Sequence, residues 1–133
     1  MKKYAEIDVS NHPIVTVVFT GEQANDDNFP FYMQEVKAVY DQKQTIAIIF
    51  DATKAVIPAA KYQKMQGDWL KANEQLMKDY CSGTAYIIPN IIIRSVLKAI
   101  FTFQKQPVDY LVCKNNNEAN IWVKEKLDNV SIR

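Results

Sequence analysis

Thr45-Ile-Ala-Ile-Ile-Phe50, closed by Asp51, is the stretch on which the fold turns. Its apolar residues run without a break, so the alternation that would mark one wet and one dry face is missing. Such a strand is covered on both faces, the condition of a parallel sheet with its crossovers packed against it. Upstream, Ile14-Val-Thr-Val-Val-Phe19 is a second nearly continuous run and is also expected to be buried on both faces. Between the two, Asp26, Asp27 and Asn28 offer N-cap oxygens and Pro30 suits a first helical turn. A helix is therefore expected from near Asn28, with Phe29, Tyr32, Met33, Val36, Val39 and Tyr40 inside an arc of about 120°. Downstream of Asp51, residues 52–58 read as irregular. A single long helix is expected over 59–80, carrying Tyr62, Met65, Trp69, Ala72, Leu76 and Tyr80 in one stripe.

The ends of the chain extend the pattern. Ala5, Ile7 and Val9 alternate with Glu6, Asp8 and Ser10, as in a half-buried edge strand, and Asn11-His12-Pro13 then makes a turn. So short a connection implies that this strand pairs antiparallel with 14–19. A strand starts at Gly83, and Pro89-Asn90 stops it and caps a helix from Ile91 to Phe103, ended by Gln106-Pro107. Residues 108–112 form the last strand. Asn115, with Glu118 three residues on, caps a terminal helix carrying Ala119, Trp122, Val123 and Leu127. The expected fold is a single small α/β domain with its ordered core over 3–128. Its five-stranded sheet is mostly parallel with an antiparallel first strand, in the order β-β-α-β-α-β-α-β-α. Cys81 and Cys113 should fall at opposite edges of that sheet, too far apart to pair.

Composition narrows the function. The 133 residues carry 16 Lys and Arg against 15 Asp and Glu, a formal charge of +1, which argues against a polyanion grip and hence against nucleic acid as partner. A single histidine, His12, and two distant cysteines disfavour zinc sites, Cys-His nucleophiles and C-x-x-C redox pairs. No cofactor and no metal is expected. Gly21-Glu22-Gln23 after the second strand carries neither G-x-G-x-x-G nor a Walker loop. The start MKKYAEIDVS lacks the apolar core of a signal peptide and no run approaches the roughly 20 apolar residues of a membrane span, so a cytoplasmic location is expected.

The element order resembles the STAS domain, the fold of anti-sigma factor antagonists and of sulfate-transporter C-termini. Ile48-Ile-Phe-Asp51, Pro58-Ala-Ala60, Trp69-Leu-Lys-Ala-Asn73, Ile87-Ile-Pro89, Arg94-Ser-Val-Leu-Lys-Ala-Ile-Phe101 and Glu118-Ala-Asn-Ile-Trp122 look like the bacterial SpoIIAA-like proteins of the STAS or lipid-transfer-like type. In the antagonists, a serine opening the helix after the third strand is phosphorylated. The matching run here is Pro58-Ala59-Ala60, without a hydroxyl, so the resemblance implies a divergent branch lacking that switch. What it implies is a non-enzymatic regulatory or ligand- or protein-binding module. The alternative is a carrier or sensor of a lipid or other amphipathic molecule.

Two sets of residues are candidates for contact. Ligands of open α/β sheets bind outside the strand C-termini. That edge should gather Thr20, Glu22, Asp51, Thr53, Lys54, Asn90, Lys114 and Asn115, where helix N-termini would welcome an anion or a polar head group. Asp51 with Lys114 is also the pairing of a response-regulator receiver, but Thr20-Gly21-Glu22 supplies at most one further acid for a Mg²⁺ site. His12, at the far edge from Asp51, gives a Ser-His-Asp triad no geometric basis. The second set is the helix from Ile91, in which Ile92, Ile93, Val96, Leu97, Ala99, Ile100, Phe101 and Phe103 span about 200°, twice what one-sided burial uses. Arg94 and Lys98 lie on its narrow polar side. The C-terminal helix, a second subunit in a homodimer or another protein partner, or a membrane surface touched peripherally would cover the excess.

Overall fold

In a computed structural model, which describes residues 1–132, the chain forms a five-stranded sheet with helices on both faces. The elements are β1 (Ala5–Asp8), β2 (Ile14–Phe19), α1 (Asn28–Ala38), β3 (Ile46–Asp51), α2 (Ala60–Ala72), α3 (Glu74–Tyr80), β4 (Cys81–Ile87), α4 (Ile91–Phe103), β5 (Tyr110–Cys113) and α5 (Asn116–Ile132). The sheet order is β1-β2-β3-β4-β5, with β1 antiparallel to β2 and every other pairing parallel, the mixed α/β sheet expected.

Handedness assigns the faces. Each crossover from β2 to β5 advances one strand in the same direction, and right-handed crossovers then all fall on one side of the sheet. Consequently α1 to α4 share a face, packed on Val15, Val17, Ile46 and Ile48. The residues that alternate with these in β3, Ala47 and Ile49, join Ala85 and Ile87 on the opposite face under Ala119 and Val123 of α5. Covering of α4 by the C-terminal helix is thereby ruled out, since the sheet stands between them. Instead α4 packs beside α2.

Three expectations over the elements need correction. The helix expected over 59–80 is two: Asn73 is buried, its Nδ2 donates to the Trp69 carbonyl at 2.9 Å, and α3 restarts after it. Leu70 and Met77, seven residues apart and so on one face, enter the core, while Leu76 and Tyr80 of the expected stripe are only half-buried. In β2, Val15 and Val17 are buried but Val18 is 36% exposed. A single helix about 10 Å wide spans only about two strands spaced about 4.8 Å apart, and α5 sits over β3 and β4. The fourth strand begins at Cys81 rather than Gly83, and the fifth at Tyr110. Cys81 and Cys113 are both free and buried, at opposite edges of the sheet as expected. Gly83 marks a close approach, because a Cβ there would stand 2.8 Å from the Trp122 ring of α5.

Candidate functional site

The register brings the parallel strand ends to one edge: Val18 lies beside Asp51, Asp51 beside Ile87, and Ile87 beside Cys113. Thr20, Glu22, Asp51, Thr53, Lys54, Asn90 and Lys114 all follow those ends, and their contacts are local. Thr20 Oγ1 donates to the Lys3 carbonyl at 2.7 Å and accepts the Glu22 N–H at 3.2 Å. Asp51 Oδ1 accepts the N–H and the hydroxyl of Thr53, at 3.0 and 2.6 Å. Asn90 Oδ1 caps α4 by accepting the Ile92 N–H at 2.8 Å. Asn115 Oδ1 accepts the Glu118 N–H at 2.9 Å while Glu118 Oε2 accepts that of Lys114 at 3.3 Å, a reciprocal cap at the start of α5. Lys54 is exposed, its carbonyl beside Gly21. These are the duties of turn and cap residues. At the start of α2 the N-cap is Ala59, with no side-chain cap. Among the described residues no group of three or more His, Cys, Asp or Glu could hold a metal ion, and no helix is long and apolar enough to cross a membrane.

The helix candidates divide. Ile100 is buried, Ile93 and Val96 are half-buried, and Ile92 is 58% exposed beside a still more exposed Ile91. Arg94 Nε reaches back to the Ile88 carbonyl at 2.8 Å, and Lys98 is exposed. The side chain of Phe103 lies outside the described residues.

What sequence reading misses lies between α4, α2, α1 and the sheet. A row of rings crosses the helix-side face of the sheet, with Phe19 stacked on Phe50 and Phe50 stacked on Tyr86 at 5.0 Å between centroids. Tyr4, Phe29, Tyr32 and Tyr62 continue the row through edge and tilted contacts. Rings of this size hold the helices off the strands. The connection from β3 to α2 closes over them only with small side chains, Ala52, Ala55, Val56 and Pro58. The space left is an apolar cavity of about 110 Å³, walled on the helix side by residues including Met33, Trp69, Ile93, Val96 and Ile100. Native cores rarely keep voids larger than a water molecule, and an apolar cavity of about 150 Å³ takes up benzene. No Asp, Glu, Lys, Arg or His lines it.

Its polar side chains are five tyrosines, Gln66 and the indole of Trp69. Burial pushes the phenol of Tyr4 up to about 12 and that of Tyr32 well above its ordinary value, the latter helped by the neighbouring Tyr4 and Tyr86. Burial raises Tyr40 and Tyr86 too, and lifts the Cys81 thiol to about 11. All of them keep their protons at neutral pH. The Tyr86 hydroxyl is held by Gln106 Nε2, whereas that of Tyr40 is buried with only the Cys81 thiol beside it.

At one end of the cavity Tyr62 sends its hydroxyl out to Asp26 Oδ1 at 2.8 Å, and Lys61 Nζ meets the same oxygen at 2.6 Å. Both hold the Asp26 carboxyl below its ordinary value of 3.8, the lysine first. A carboxyl lowered in the folded state stabilises above the unfolded-state value, and its contribution is lost as pH falls through the folded-state one. The tie between the loop before α1 and the start of α2 should therefore hold at neutral pH and open in acid. Urea midpoints of wild type and Asp26→Ala should differ slightly at pH 7 and converge at the acid end; a gap that persists there would refute the electrostatic account.

No known family model and no curated protein matches the chain.

Proposed function

We propose that the chain is a non-enzymatic ligand-binding module that takes the apolar part of a small neutral or amphipathic molecule into the cavity between the ring row and α1, α2 and α4. The observation that carries this reading is the cavity itself: about 110 Å³ of space without a charged group on its wall, where native cores rarely keep a void larger than a water molecule. Its size selects among ligands. The cavity is smaller than the roughly 150 Å³ that admits benzene, so one ring at most or a few methylenes is its limit, and a whole long-chain lipid would leave most of its tail outside. The element order and the antiparallel first strand support a STAS-like, SpoIIAA-like assignment, and Ala59 at the N-cap of α2 fits a branch without the serine switch. Native mass spectrometry of freshly purified protein tests the reading. A retained small molecule, or a rise in melting temperature with ring-sized apolar compounds, is expected. Ligand-free protein indifferent to such compounds would contradict it.

A second reading concerns the start of α4. Ile91 and Ile92 are 76% and 58% exposed, and Ile57, in the connection that closes the cavity at the same sheet edge, is 46% exposed. Two such side chains covered by a second copy would contribute a few kcal/mol at about 25 cal/mol per Å². Because Ile92 is outside the core, Ile92→Glu should still fold. Sedimentation at several concentrations then decides: a wild-type dimer that Ile92→Glu dissociates supports a symmetric contact, and a wild type monomeric throughout contradicts it.

A further inference from the structure

The polar atoms of the cavity narrow its ligand further than size and apolarity do. Tyr4, Tyr32, Tyr40 and Tyr86 all line it, although they come from β1's leading residue, from α1, from the turn after α1 and from β4. Two of the cavity's five tyrosine hydroxyls are committed elsewhere, Tyr86 to Gln106 and Tyr62 to Asp26. The Tyr40 side chain is 98% buried by its 2% exposure, and its hydroxyl has no partner beyond the nearby Cys81 thiol, a weak hydrogen-bonding group. A buried hydroxyl without a good partner costs free energy, about 1–3 kcal/mol, unless something supplies one. Such a hydroxyl on the wall of a mainly apolar cavity is out of place if that cavity is only a packing fault.

We infer that the cavity recognises a neutral, ring-sized molecule whose buried end carries an oxygen, with the hydroxyl of Tyr40 as the group that hydrogen-bonds it. The inference deepens the proposed function and rests on it. Neutrality follows from the wall: a carboxylate or an ammonium brought into this space would find no opposite charge, and its desolvation would go uncompensated. Phenols that keep their protons are donors, so an acceptor oxygen on the ligand is what they lack. A ring as guest fits the aromatic side chains along the wall, Phe50 and Tyr86 among them.

Phenol, toluene and benzoate make the test, because they have nearly the same shape and differ in the atom at one end. Calorimetric titration of the three into wild type and into the variant Tyr40→Phe separates the hydrogen bond from the cavity. Water holds phenol more strongly than toluene, so preference for phenol requires a hydrogen bond inside. Wild type should bind phenol about tenfold more tightly than toluene, the size of one net hydrogen bond, and should not bind benzoate. The variant should bind toluene as wild type does and lose the preference. It should fold, since the hydroxyl it removes has no partner but the Cys81 thiol. Toluene bound as tightly as phenol, or benzoate bound comparably, would overturn this inference while leaving the cavity as a ligand site. A wild type that takes up neither phenol nor toluene would overturn the proposed function itself.

Discussion

Val123→Asp is expected to leave the chain unfolded. Val123 is fully buried where α5 meets Ala47, Ile49, Ala85 and Ile87, and α5 is the helix that covers this face of the sheet. A carboxyl placed there meets an apolar cluster, and burying it unpaired costs several kcal/mol whether it ionises or takes up a proton. Domains of this size hold about 5–15 kcal/mol in total, so one such change consumes most of the margin. Ile49→Ala, on the facing strand, should cost about 2–5 kcal/mol through the cavity it opens. Lys124→Asp is the control, since its side chain is exposed one residue along the same helix. Far-UV circular dichroism and urea melts check all three. A Val123→Asp protein with the wild-type midpoint would mean that α5 is not docked as described.

The second large effect concerns the cavity and has opposite signs at two neighbouring positions of α4. Ile100→Ala enlarges a space that the side chain now borders, and should destabilise the ligand-free protein by about 2–5 kcal/mol. Much of that loss should return with a saturating ring-sized ligand, because anything that binds only the folded state stabilises it as its concentration exceeds Kd. Val96→Phe puts extra volume into the same space from the next helical turn. Filling a real void should leave the ligand-free midpoint unchanged or raise it by about 0.5–2 kcal/mol, and abolish binding. If the space were already closed in solution, the phenyl ring would overpack the core and cost about 1–3 kcal/mol instead. The sign of the Val96→Phe change thus separates a site from a packed interior.

The parts of this molecule legible in its sequence are those decided within a few residues of each other. Asn90 before α4 and the Asn115–Glu118 pair before α5 stand where their spacing places caps, because a cap is a contact over two or three residues. The antiparallel first pair follows from the shortness of the Asn11-His12-Pro13 turn. The break at Asn73 escapes the pattern because the apolar stripe keeps nearly the same phase on both sides of it, while the event itself is one buried amide bonding the Trp69 carbonyl. Which face α5 occupies depends on strand order, and periodicity does not carry strand order. The strand-end residues were legible as an edge, and as turn and cap residues too. The cavity was not legible, because it arises where rings on three separate strands, Phe19, Phe50 and Tyr86, meet the small side chains of the connection from β3 to α2, and no local rule scores that misfit. The excess apolar arc of α4 was its one visible trace: Ile93, Val96 and Ile100, singled out there, line its wall.

The central claim, that the space under α4 is an open apolar site in the folded protein, is tested most directly by diffraction from crystals held under xenon. Xenon enters dry apolar cavities and scatters strongly enough to be located without a model of the ligand. The account predicts a single buried xenon peak bounded by Phe50, Val96, Ile100 and Tyr86, or else displaced by density for a retained ligand in the same place. A core in which Val96 and Ile100 close onto Phe50 and Tyr86, with neither xenon nor ligand between them, would contradict it.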